Sequence, residues 1–296
     1  MTLTTDRLAR QPRTTAPIDA DAIRHYRQPG LFFALSTAIP WAMWLAAGRL
    51  SHLDDPSHAA RLLTSLLGFG GLFAPLAVAA VLTVRNPQLL RDTRHRLTNW
   101  RQVSPGLAAL SVVLLPAALL AGTAISLLFG YPSEQFQLRN GFSFTSGVAP
   151  AWLVLGLAPI VEELAWHSYG TDALASRWTI WRSSMVFAAI WALWHLPLAG
   201  IKGYYQAEVV EVGLLASVNF LVSMFPFMVL MNWLYYRCGR NIWIPVLVHL
   251  SANYGNEIFL THPDTKALQT LLLTALCGWV LWHDRELFFT RPKDRR

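Results

Sequence analysis

The chain has 296 residues, 54% of them hydrophobic and only 14% charged, with 13 Trp, 15 Phe and a mean hydropathy of +0.35. Soluble domains carry about 25% charged residues, so there are too few polar side chains here to coat a water-facing surface. An ordinary cytosolic enzyme, a disordered chain and a secreted disulfide scaffold are excluded. The net charge of +7 keeps a nucleic-acid binder open until its placement is known.

Residues 1–30 read as a polar arm without an apolar core ahead of a small-residue cleavage site. No signal peptide is expected, and the first span reads as an uncleaved anchor. Apolar runs of membrane-crossing length follow at 31–50, 62–84, 106–129, 148–169, 183–199, 213–236, 242–260 and 267–283. The predicted fold is therefore all-α: a polytopic membrane helix bundle of about eight transmembrane helices in one domain, 31–283. Its motif-bearing core is 148–260, and 284–296 is a basic tail. Segment 85–105 reads as a basic stretch lying on the membrane face. Cys238 and Cys277 form no CxxC pair and give no disulfide or thiolate-metal argument.

Eight spans leave both termini on one side. Of the 24 Lys and Arg, all but Arg49, Arg61, Arg139, Lys202 and Lys266 fall on that side, which the positive-inside rule assigns to the cytoplasm. The expected location is a multi-pass protein of the cell membrane, such as a bacterial inner membrane. Topology accounts for the basic charge, so no nucleic-acid partner is expected.

Ionisable residues inside spans are costly and are candidate functional groups by default. They cluster in three segments: Glu162, Glu163 and His167 in PIVEELAWHSYG, His195 in FAAIWALWHLPL, and His249 with Asn253 in NIWIPVLVHLSAN. Asn219 and Asn232 complete the polar set, while Glu257 reads as a solvated helix end. Glu163 and His167 are four residues apart and share a helix face, as do Trp191 and His195, and His249 and Asn253. Pro159 and Pro197 can kink or end their helices beside these groups. Each residue also has a plainer reading, as an interhelical hydrogen-bond partner or a headgroup-level carboxylate. One shared polar pocket explains them together. Depth counted along the helices predicts that it opens toward the cytoplasm, with His195 at its floor.

The three segments, in order, resemble the motifs of the CPBP family of intramembrane proteases, EExxxR, FxxxH and HxxxN, over roughly 150–256. This family includes CAAX endopeptidases and bacteriocin-processing or self-immunity proteins. Two positions depart from the pattern: Trp191 stands for the Phe, and His167 for the Arg. Histidine titrates near neutral pH where arginine stays cationic. The resemblance implies hydrolysis of a peptide bond in a membrane-associated peptide or protein, without a covalent intermediate. Glu162 and His195 would activate water, His249 and Asn253 would stabilise the oxyanion, and Glu163 would orient them with His167 and Trp191 in support. Such a site needs no cofactor. A zinc-dependent version would use Glu162, His195 and His249. A non-proteolytic binding or immunity protein, an enzyme acting on a hydrophobic metabolite, and a transporter are the remaining readings.

Overall fold

The computed structural model describes residues 20–142 and 149–292. Its long helices are α1 (Pro29–Ser51), α2 (His58–Val84), α3 (Pro87–Thr98), α4 (Pro105–Ser126), α5 (Ala151–Ala165), α6 (Ile180–Trp194), α7 (Tyr205–Val212), α8 (Leu214–Arg237), α9 (Trp243–Ile258) and α10 (Pro263–His283). Among the described residues there is no β-strand, only an isolated bridge between Leu138 and Phe259. The polytopic helical bundle is borne out. Five segments are long and apolar enough to cross a membrane: α1, α2, 105–129, 180–200 and α8. The site-bearing helices α5 and α9, of 15 and 16 residues, are not among them. They are shorter than the roughly 17–25 residues a membrane span needs.

Local signals set the helix starts. Pro29, Pro87 and Pro105 sit in the first turns, where a missing N–H costs nothing. Ser57 caps α2, and Asn86 caps α3 by accepting from the Gln88 N–H at 3.0 Å. Pro159 lies inside α5 without ending it, whereas α6 stops just before His195 and Pro197 falls in the 3₁₀ turn Leu196–Gly200. The break in the first motif comes later, as a π-helical turn at Trp166–Gly170 followed by the short helix Thr171–Ala175. Gly170 lets α1 close on this turn, since a Cβ there would lie 2.6 Å from the Phe32 ring. Phe32 and Phe33 pack on Trp166, and Trp166 on Phe187 and Trp194.

Helix α9 packs on α4 and α5, α8 on α6 and α10, and α2 on α1 and α5. The bundle has two unlike ends. One gathers 84–105, 171–180 and 237–243 around buried charge. Arg96, 1% exposed, meets Asp92 at 2.8 Å and Asp172 at 3.1 Å, and Arg240 meets the same two carboxylates at 2.9 and 2.6 Å. Segment 85–105 therefore does more than lie on the membrane face, because α3 sends Arg96 into the interior. Tyr26, within the N-terminal arm, is also buried there and donates to Asp92 at 2.7 Å.

Burial pushes the Asp92 carboxyl up, but the Arg96 and Arg240 guanidiniums outweigh it and hold it at about 2, against an ordinary 3.8. A carboxylate depressed in the folded state contributes stability above its unfolded value and loses it as pH falls through its folded value. Thermal unfolding should therefore show a loss of roughly 2 kcal/mol between about pH 4 and pH 2. This step should be absent in Asp92→Asn; an identical acid profile in that variant would show that the network does not carry it.

Candidate active site

Glu162 and Glu163 point in different directions because consecutive helical residues are turned about 100° apart. Glu163 is fully buried and its two oxygens are both engaged: His167 Nδ1 lies 2.5 Å from Oε2 and His249 Nδ1 lies 2.7 Å from Oε1. It thus joins the first motif to the third. Glu162 and His249 instead line a cavity of about 390 Å³, together with Trp191, His195 and Asn253.

Trp191 organises this wall. Its carbonyl accepts from His195 Nδ1–H at 2.6 Å, and its indole N–H donates to Glu162 Oε2 at 3.0 Å. A carbonyl can only accept, so the neutral His195 ring carries its proton on Nδ1 and keeps the Nε2 lone pair free. The indole ring packs edge-on against His249, with centroids 5.3 Å apart, and stacks on Phe227. Phenylalanine could supply the packing but not the N–H. Trp191→Phe should cut kcat by about 10- to 100-fold, the scale of losing a hydrogen bond to a charged group, with little change in thermal stability. Wild-type kcat in that variant would make the indole N–H dispensable.

The protonation of His167 follows from its neighbours. Ser184 Oγ donates to the Ile180 carbonyl at 2.8 Å, so it must accept from Asn232 Nδ2 at 2.9 Å. Asn232 Oδ1 is left to accept from His167 Nε2–H at 3.1 Å. His167 Nδ1 faces a carboxylate, another acceptor. Both ring nitrogens therefore meet acceptors, and an imidazolium satisfies the set. At this position histidine can hold Glu163 as a cation, the arrangement an arginine would give.

The structure brings together every candidate from the three motifs, in two layers: Glu162, Trp191, His195, His249 and Asn253 on the cavity, Glu163 and His167 behind it. Glu257 is 3% exposed and lines the cavity, so the solvated helix end expected for it is corrected. Both motif glutamates are buried inside the bundle. Ser184 and Arg96 gave little signal in the sequence, one being a single hydroxyl in an apolar span and the other one charge among many in a basic loop.

The cavity does not open where depth counting put it. Its lining runs to Arg139, Tyr204, Val212, Pro263 and Lys266, at the end opposite the buried ion pairs, and Val212 is exposed. The basic end is closed by the Arg96–Asp172–Arg240 cluster, whereas residues of the connections 200–213 and 258–263 line the cavity at the other end. His195, at the last turn of α6, sits toward the mouth and not at a floor. Among the described residues, no three His, Cys, Asp or Glu groups are placed to hold a metal ion together, Glu162, His195 and His249 included.

Residues 144–255, which contain all three motifs, match the model of the family described as type II CAAX prenyl endopeptidase Rce1-like. The chain is also 28% identical over 265 residues to CAAX prenyl protease 2 of Methanococcus maripaludis, covering 89% of this chain and 96% of that protein. The resemblance read from the motifs is borne out, and with five membrane-length apolar segments it points to a multi-pass membrane protein.

Proposed function

We propose that the protein is an intramembrane endopeptidase that hydrolyses a peptide bond in a membrane-associated peptide or protein. The supporting observation is the convergence of Glu162, His195, His249 and Asn253 on one cavity, with a buried Glu163 tying His249 to His167. Trp191 holds one oxygen of Glu162, leaving the other for a water molecule. Glu162 takes a proton from that water as it attacks the scissile carbonyl, and the His195 Nε2 lone pair shares the water. Asn253 and the Nε2–H of a protonated His249 donate to the developing oxyanion. Glu163 accepts from His249 Nδ1–H and so favours that protonated ring. Donors fixed in advance in a dry site are worth about 3 kcal/mol each. Glu162 then returns its proton to the leaving amine, and no covalent intermediate forms.

The mechanism assigns no step to a metal, because the donor set does not converge as a ligand shell. The name of the relative suggests a prenylated C-terminal peptide as the first substrate to try. The protein reconstituted in liposomes should cleave a farnesylated CAAX peptide or a membrane-anchored leader peptide; binding of both without turnover would favour the non-proteolytic reading.

The proposed orientation places the termini in the cytoplasm, on the strength of the charge bias. The cavity mouth then faces away from the cytoplasm. A cysteine introduced at Asp55 should react with an impermeant reagent in intact cells, and one at Arg101 only after permeabilisation. The reverse pattern would invert the topology.

A further inference from the structure

We propose that Arg96, 67 residues before the second motif glutamate in a segment that matches no motif, is a positioning residue for the site, acting through the backbone of the π turn. The inference rests on the proteolytic reading above. The π turn creates the need. Thr171 N–H bonds the Trp166 carbonyl, five residues back, where an α-helix would use the carbonyl of His167. The carbonyl skipped is that of the residue whose ring holds Glu163. Arg96 is the nearer side-chain donor to it: Nη1 donates to the His167 carbonyl at 2.7 Å, with the Tyr235 hydroxyl at 3.3 Å from the same oxygen, and Nη2 donates to the Ser168 carbonyl at 2.8 Å.

The guanidinium is fixed from every other side. Nη1 also donates to the Tyr235 hydroxyl at 2.6 Å, which itself lies 2.9 Å from Asp172 Oδ2, and Nη2 to the Tyr26 hydroxyl. Asp92 and Asp172 balance its charge. A planar fork is required here, because one cation must span two adjacent carbonyls and two carboxylates; a lysine ammonium is a single point and cannot do so. Arg96 thus sets the axial position of His167, which through Glu163 sets His249 on the cavity wall.

The test is Arg96→Lys, which keeps the charge but loses the fork, with Arg240→Lys as a control that perturbs the same ion pairs without touching the π turn. The readouts are kcat, KM, thermal unfolding and the downfield proton resonance of the His167–Glu163 hydrogen bond in histidine-labelled protein. Arg96→Lys should lose that resonance and lower kcat by about tenfold or more with KM nearly unchanged. Arg240→Lys should lower the unfolding temperature and retain the resonance. If Arg96→Lys does not fold, Tyr235→Phe takes its place: it removes the hydroxyl that accepts from Nη1 and that itself lies 3.3 Å from the His167 carbonyl. It thus loosens the same carbonyl without removing a cation, and it should broaden the resonance and lower kcat several-fold. Wild-type resonance and kcat in Arg96→Lys, or in Tyr235→Phe, would overturn the proposal, as would equal loss of resonance in Arg240→Lys. Because the resonance is read without substrate, failure of the proteolytic reading would appear separately, as absent turnover in a wild-type protein that still shows it.

Discussion

Glu162→Gln is expected to lower kcat by about 100- to 10,000-fold, the range for losing a positioned general base, while the protein stays folded. Glutamine is nearly isosteric, and its carbonyl oxygen can still accept from the Trp191 indole N–H, so the cavity wall is kept. The change removes only the capacity to take a proton from water. KM should move little, because Glu162 meets the attacking water and not the body of the substrate. Addition of EDTA to the wild-type protein should leave the rate unchanged. A Glu162→Gln variant with more than about a tenth of wild-type kcat would assign the base elsewhere, and His195 would be the first residue to examine. Loss of activity to EDTA with recovery on adding zinc would replace the metal-free mechanism.

The second large effect is expected at His167. His167→Ala leaves a buried carboxylate without its 2.5 Å partner and Asn232 Oδ1 without a donor. Breaking a buried pair by removing one side costs about 3–5 kcal/mol, so both the unfolding temperature and turnover should fall sharply. His167→Arg keeps a cation beside Glu163 at every working pH. It should retain turnover and an unfolding temperature close to that of the wild type. His167→Ala with full activity and an unchanged unfolding temperature would make His167 a bystander. Loss of activity in His167→Arg as well as in His167→Ala would show that the pocket selects for ring shape and not for charge.

Much of the site was legible because its signals are local. A glutamate pair, three histidines and a carboxamide stand out in a chain with so few charged residues, since each is expensive in lipid. The four-residue spacings of Glu163–His167 and His249–Asn253 fix which residues share a helix face, and α5 and α9 keep those faces. The helical class follows from apolar run length alone, and of the eight apolar runs expected to cross the membrane, five match segments long and apolar enough to do so among the described residues. The division of labour between Glu162 and Glu163 was legible only from the motif order, and the structure places one on the cavity and the other behind it.

What the sequence determined by itself is the set of elements and the identity of the chemical groups, because helix length, face and polarity depend on residues within a few turns of one another. The tertiary structure decided the rest. That Trp191 serves Glu162, His195 and His249 at once depends on how α6 meets α5 and α9. A guanidinium delivered from α3 meets two carbonyls of the π turn, and Arg96 is indistinguishable in sequence from the solvated arginines around it. The side on which the cavity opens also escaped the sequence. It is set by which end of the bundle is packed shut, here by Arg96, Asp172 and Arg240, which lie far apart in the chain and meet only when the helices assemble.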